Sequence, residues 1–238
     1  MPENLLIPSV DLRIGALEEY NRRQKDKAAH QHRKVKPRPC LTISREFGCE
    51  GYPVAEQLLK IMEQKTGDTW LMIDLAVLDE VARRHEISKE ILDHLGERNR
   101  LLAEVLSTFS PRWKTDNDYF QLICSHVISL AEQGNVIIME LGGAVITRHI
   151  EHSHHFRIIA SGAFKTSTIA KRLFLASDEA ETLVKRKQRE RDKFARDFLG
   201  QDDHDPYLYD LTFNNDYCSA PQIAAIIAEY TALHCREC

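Results

Sequence analysis

The sequence predicts an α/β fold: a doubly wound, parallel five-stranded sheet. Three observations carry that reading. From Cys40 onward, short apolar runs alternate with helix-length amphipathic patterns, which implies parallel strands joined by right-handed crossovers. Most of the runs lack the polar–apolar alternation of a one-sided sheet, as expected where helices cover both faces. Residues 40–64 then read as a buried strand, a tight loop with Gly48 and Gly51, and an amphipathic helix. That arrangement suits phosphate, because loop N–H groups converge on the anion and the helix start adds unpaired donors and a positive dipole end.

Taken in order, residues 1–39 form a segment of their own. Val10–Tyr20 fits a short amphipathic helix, whereas Arg22–Arg38 is mostly Lys, Arg, His and Gln. The expectation for 1–39 is a flexible basic extension, either a solvated linker or a contact for RNA, an acidic partner or a neighbouring subunit. The expected main domain spans residues 40–235. Its strands are Cys40–Ser44, Thr69–Ile73, Val136–Met139, Phe156–Ala160 and Leu211–Asn214. Its helices are Val54–Gln64, Leu75–His85, Lys89–Leu106, Tyr119–Gln133, Lys165–Leu175, Asp178–Phe198 and Gln222–Leu233. Pro53 suits the first turn of its helix, where a missing N–H costs little. Ser88 and Ser177 precede acidic first turns, and Ser219-Ala-Pro-Gln222 reads as a capping box.

Composition narrows the function classes. The 238 residues are 43% hydrophobic, enough for one core, and the net charge of −4 gives no global nucleic-acid or membrane footprint. No apolar run approaches the roughly 20 residues that span a bilayer. The first residues lack the basic start and apolar centre of a signal peptide. Six cysteines without framework spacing suit a reducing compartment, so the cytoplasm is the expected address. Cys235-Arg-Glu-Cys238 has metal-ligand spacing but no second pair to close a tetrahedral site, and fraying is the favoured reading. His149, His152, His154 and His155 read as a solvated connecting loop.

Ligands in open α/β sheets bind beyond the strand carboxyl ends. Here those ends deliver Ser44, Arg45, Glu46 and the Gly48–Gly51 loop, then Asp74, then Glu140 and Leu141. The loop lacks the lysine and hydroxyl of G-x-x-x-x-G-K-[ST], and an ordinary β-loop-α connection stands beside the phosphate reading.

Three stretches carry a family resemblance. Leu41–Gly51 matches a phrase of the type Ile-Thr-Ile-Ser-Arg-Glu-Tyr-Gly-Ser-Gly-Gly. Gly134–Gly143 matches G-N-V-V-I-V-G-R-G-A. Asp205, Pro206, Tyr209, Asp210, Leu211 and Asn214 reproduce D-P-x-x-Y-D-L-x-x-N. On these, the chain resembles the cytidylate-kinase-like family of P-loop proteins from Cys40 to Tyr230. The resemblance implies a fold of the P-loop nucleoside-monophosphate-kinase type with a helical lid. It implies ATP and Mg²⁺ as cofactors, and phosphoryl transfer to a CMP- or dCMP-like nucleoside monophosphate. Ser44, Arg45, Gly48, Cys49, Glu50, Gly51 and Tyr52 would hold donor phosphates. Asp74, Gly142 and Gly143 would border the acceptor, with Mg²⁺ as the alternative contact for Asp74 and capping of the next helix as a compatible role. Arg189, Arg191 and Arg196 would act as the catalytic lid arginines. From its position alone, at the end of a buried strand, Glu140 is expected to position Mg²⁺. Apart from nucleotides, no partner is implied, with nucleic acid confined to the basic arm.

The departures from the family are also specific. Glu50 puts a carboxylate where the family has a small residue, Tyr52 replaces a basic one, and Glu140-Leu141-Gly142 replaces Gly-Arg-Gly. Like charges about 4–6 Å apart repel by a few kcal/mol at an effective dielectric near 20. The alternative function is therefore a catalytically silent nucleotide- or anion-binding regulatory module on the same fold.

Overall fold

The computed structural model describes residues 9–30, 38–83, 117–140 and 142–234. The expected helix Lys89–Leu106, Leu141 and the Cys235–Cys238 pair lie outside them. The elements are α1 (Val10–His30), β1 (Cys40–Arg45), α2 (Gly51–Thr66), β2 (Leu71–Ile73), α3 (Leu75–Arg83) and α4 (Asn117–Gln133). There follow β3 (Val136–Met139), α5 (Gly143–Ile146), β4 (Ser153–Ile159), α6 (Gly162–Leu173) and α7 (Ser177–Phe194). A π-turn at Ala195–Leu199, a 3₁₀ turn at Pro206–Leu208, β5 (Leu211–Asn214) and α8 (Ala220–His234) complete the described chain.

All five strands are parallel, in the order β2-β3-β1-β4-β5. The central β1 pairs Cys40 with Val136 on one side and with Ser153 on the other. Because successive side chains alternate across a sheet, each strand feeds two cores. Leu41, Ile43, Ile137, Met139, Phe156 and Ile158 pack against α2 and α8. Cys40, Val136, Ile138 and Ile73 face α1, α3, α4 and α5. Burial on both faces is why the strands read as continuous apolar runs. Among the described residues, no helix is long and apolar enough to cross a membrane.

Three expectations are corrected. The helix expected at Val10–Tyr20 runs to His30, and its Ile14, Leu17 and Tyr20 are buried in the core, so this part of residues 1–39 is not a flexible extension. The physical reason is that the apolar stripe of α1 covers the β2–β3 side of the sheet, while Tyr20 donates its hydroxyl proton to the Gly134 carbonyl. Second, β4 begins at Ser153, so His154 and His155 are strand residues rather than a solvated loop. Third, the long lid helix stops at Phe194 and continues as the π-turn.

Candidate functional site

The carboxyl ends of β1 and β3 and the helices α2, α6 and α7 converge on the loop 46–50. Two glycines make its shape possible. Gly48 has φ +98° and lies against Lys165, whose Cβ would stand 2.8 Å from any Cβ added there. Gly51 begins α2, and an added Cβ would come within 2.3 Å of Arg45 Cδ. Arg45 thus lies across the helix start, the position where the macrodipole favours an anion.

Charge is concentrated here. Arg45 Nε stands 2.7 Å from Glu140 Oε1, and Arg191 Nη1 stands 2.9 Å from Glu140 Oε2. Lys165 Nζ donates to Glu46 Oε2 at 2.7 Å, and Arg172 reaches Glu50 at 3.8 Å. Four cations from β1, α6 and α7 therefore meet three carboxylates. Burial raises the pKa of Glu140, but the guanidiniums of Arg45 and Arg191 outweigh it and hold the carboxyl below its ordinary value. Burial depresses the pKa of Arg172, an effect the Glu50 charge opposes. Cys49 and Tyr52 are both pushed up to about 12, chiefly by burial.

The loop's own N–H groups are partly engaged. Phe47 N–H donates to Gln188 Oε1 at 2.8 Å, Glu50 N–H to Asn215 Oδ1 at 2.9 Å, and Cys49 N–H to the Glu46 carbonyl at 3.1 Å. Glu50, at the N-cap of α2, makes no side-chain cap bond. The repulsion expected from Glu50 is therefore tempered by a local partner, Arg172, which the sequence reading did not identify.

The other expected site residues divide into those brought to this cluster and those set elsewhere. Ser44 is buried under the loop, with its hydroxyl bonded to Tyr209. Arg191 reaches the loop, with its guanidinium 5.7 Å from the Phe47 ring centre. Arg189 lines a cleft of about 280 Å³ between α6 and α7, together with Lys165, Lys185 and Gln188. Arg196 is exposed on the π-turn. Asp74 caps α3 through Val77 N–H at 3.0 Å and pairs with Arg13 of α1. Tyr52 is buried, and its hydroxyl has no hydrogen-bond partner among the described residues. Gly142 (φ +66°) and Gly143 are pressed under neighbours: an added Cβ at Gly142 would lie 2.1 Å from Leu199 Cδ1, and one at Gly143 would lie 3.2 Å from Ile138. Glu140 does not fit a metal ion as it stands, because both its oxygens are occupied by guanidiniums.

Sequence reasoning missed Lys165, Arg172, Gln188 and Asn215. Lys165 had a usable signal: it lies one turn beyond the β4 carboxyl end, in a helix that Ser161 caps through Phe164 N–H at 3.2 Å. Also missed was Arg157 on β4, only 3% exposed. It binds Asp203 Oδ2 at 2.8 Å, His204 Nδ1 at 3.0 Å and Tyr209 Oη at 3.1 Å. That network fixes the 203–209 turn beneath Ser44.

Comparison with known proteins agrees with this architecture. Residues 40–217 match the model of the cytidylate kinase-like family, and the chain belongs to that family. Among solved structures, an uncharacterized protein from Eubacterium ventriosum superposes with a TM-score of 0.63 at 16% identity, covering 82% of this chain and 99% of that one. The PezAT toxin–antitoxin system of Streptococcus pneumoniae aligns at a TM-score of only 0.36 and 9% identity, over 94% of this chain and 98% of that one. No curated protein matches.

Proposed function

We propose that this member of the cytidylate kinase-like family binds nucleotide phosphates at the 46–51 loop and transfers a phosphoryl group from ATP to a nucleoside monophosphate of the CMP or dCMP type. The supporting observation is the convergence of Arg45, Lys165, Arg172 and Arg191 on one glycine loop at the strand carboxyl ends. Phosphoryl transfer needs little covalent participation from the protein; it needs alignment of donor and acceptor and stabilisation of charge on the transferring group. In this reading, donor phosphates displace Glu46 from Lys165 and Glu140 from the two arginines. Lys165 and Arg45 hold the donor, Arg191 neutralises the transferring group, and Arg189 and Arg196 close from the lid. Asp74 orients the acceptor, and Gly142 and Gly143, packed beneath Leu199, Ile138 and Thr42, shape the floor that borders it.

A silent binding module is the second reading, favoured by a specific observation. Each carboxylate already occupies a cation that a phosphate would use, and Gln188 and Asn215 occupy two loop N–H groups. A coupled assay with ATP and CMP, dCMP, UMP or AMP separates the two. Turnover above background with any acceptor supports the kinase. ATP binding without turnover supports the module.

A further inference from the structure

Asp74 follows β2 at the end of the sheet where Glu140 follows β3, since Ile73 is paired with Ile138. Its side chain is 22% exposed, whereas that of Arg13, bonded to it, is only 10% exposed. The arginine thus lies behind the carboxylate, on its buried side. Each carboxylate oxygen is held separately: Oδ1 accepts from Val77 N–H at 3.0 Å, and Oδ2 accepts from Arg13 Nη1. Arg13 stands on α1, outside the residues 40–217 that match the family. Ile14, Leu17 and Tyr20 already dock that helix on the core, so the ion pair is not needed to attach it. A further polar group shares the corner, the buried Tyr52 hydroxyl of α2, which has no hydrogen-bond partner among the described residues. The charges of Arg13, Glu56 and Asp74 all bear on that hydroxyl, and Arg13 is the positive member of the set. Position 52, basic in the family phrase, is a neutral tyrosine here, and α1 brings a cation to the same corner.

We propose that Arg13 is the positioning residue of the acceptor site, holding the Asp74 carboxylate in one orientation to receive an N–H or O–H of the nucleoside monophosphate. This rests on the phosphotransferase reading above and adds to it a requirement for α1. A carboxylate only accepts, and its two oxygens offer about four lone-pair sites. Val77 and Arg13 take one on each oxygen, which leaves acceptor capacity on the exposed side. The group received there is a sugar hydroxyl or an exocyclic amine, because a carboxylate repels the acceptor's phosphate. Orientation is what the pair supplies. Without the guanidinium, Val77 N–H alone restrains the carboxylate, Oδ2 turns away, and an acceptor held loosely loses its alignment with the donor. The planar fork of arginine fixes the plane of a carboxylate, whereas a lysine at position 13 would supply charge without that geometry.

The test uses the full chain and reads two affinities by calorimetric titration, one for CMP or dCMP and one for ATP alone. Arg13→Met weakens CMP and dCMP binding by roughly tenfold or more, the effect of losing a charge-assisted contact, and leaves ATP affinity at the parent value. Arg13→Lys recovers part of the loss. In an Asp74→Asn background Arg13→Met adds no further loss, because its effect passes through the carboxylate. Arg22→Met removes an exposed cation of the same helix, paired with Glu19, and binds both ligands as the parent does. A role confined to stability would lower the melting temperature without separating the two affinities. The proposal is overturned by parent-like CMP and dCMP affinity in Arg13→Met, by an equal loss for ATP, or by additive losses in the double variant. A parent chain that takes up neither CMP nor dCMP refutes the acceptor reading itself and this proposal with it, an outcome visible before any variant is made.

Discussion

Replacing Glu140 with Gln should lower stability and tighten anion binding in the same protein. The carboxylate bridges Arg45 and Arg191 at 2.7 and 2.9 Å, with its side chain 30% exposed and those of the arginines 17% and 28% exposed. Breaking a fully buried ion pair costs about 3–5 kcal/mol, whereas an exposed one is worth about 0–1. The intermediate exposure places this loss at about 2–3 kcal/mol, or roughly 4–12 °C in melting temperature. The pH dependence has a definite sign. The folded carboxyl titrates below its ordinary 4.5, so its contribution is complete above that value and is lost as pH falls through the lower folded pKa. The gap between parent and variant should therefore be constant from pH 6 to 8 and close in acid. Two guanidiniums released from Glu140 should also strengthen ATP or pyrophosphate binding by about 1–2 kcal/mol, roughly five- to thirtyfold. Calorimetric titration and thermal melts across pH read both effects. A melting gap that persists in acid, or an unchanged affinity, would falsify the idea that Glu140 and phosphate compete for the same arginines.

Three further outcomes follow from named contacts. Gly51→Ala should displace Arg45 and weaken ATP binding by about 1.5–3 kcal/mol, the worth of one charge-assisted contact, and should lower the melting temperature by a few degrees because the Arg45–Glu140 pair is broken. Titration of the variant checks this, and parent-like affinity would remove Arg45 from the phosphate site. Cys49, fully buried with its thiol pushed up to about 12, should resist iodoacetamide at pH 8 in the native protein and react on unfolding, as followed by mass spectrometry. Deleting residues 1–38 removes the buried Ile14, Leu17 and Tyr20, a loss of about 5–9 kcal/mol at 1.5–3 per side chain. Because whole domains are stable by about 5–15 kcal/mol, the truncated chain should unfold at much lower urea or aggregate, and an unchanged urea midpoint would contradict the packing of α1.

The parallel α/β architecture was legible because both its signals are local: apolar strand runs and amphipathic helices. Loop 46–50 was legible for the same reason, since a glycine at positive φ next to a strand end is a short-range pattern. What failed depends on distance in the chain. Lys165 and Asn215 reach the loop from more than 100 residues away; the position of Lys165 just past a strand end was its one local signal, and Asn215 had none that distinguishes it from a solvated side chain. His154 and His155 were misread because a strand that starts with polar residues looks like a loop until its partners are known; Thr42 and Asp210 supply them. The α1 stripe was diluted by the basic residues that follow it, although Ile14 and Leu17 already held helical spacing.

The packing of α1 also fixes an order of events during synthesis. Tyr20 waits for Gly134, 114 residues later. At roughly 5–20 residues per second, that is about 6–23 s between the emergence of the helix and that of its binding surface. Through most of that interval Ile14, Leu17 and Tyr20 can be covered only by β2 and α3, while the β3 side of their cluster is still to come. The β2–β3 half of the sheet therefore closes from both directions of the chain, with its earliest segment docking among its later ones. A ribosome pause after Gln133 would prolong the exposure of this apolar stripe, making the nascent chain a client for chaperones that bind short hydrophobic segments.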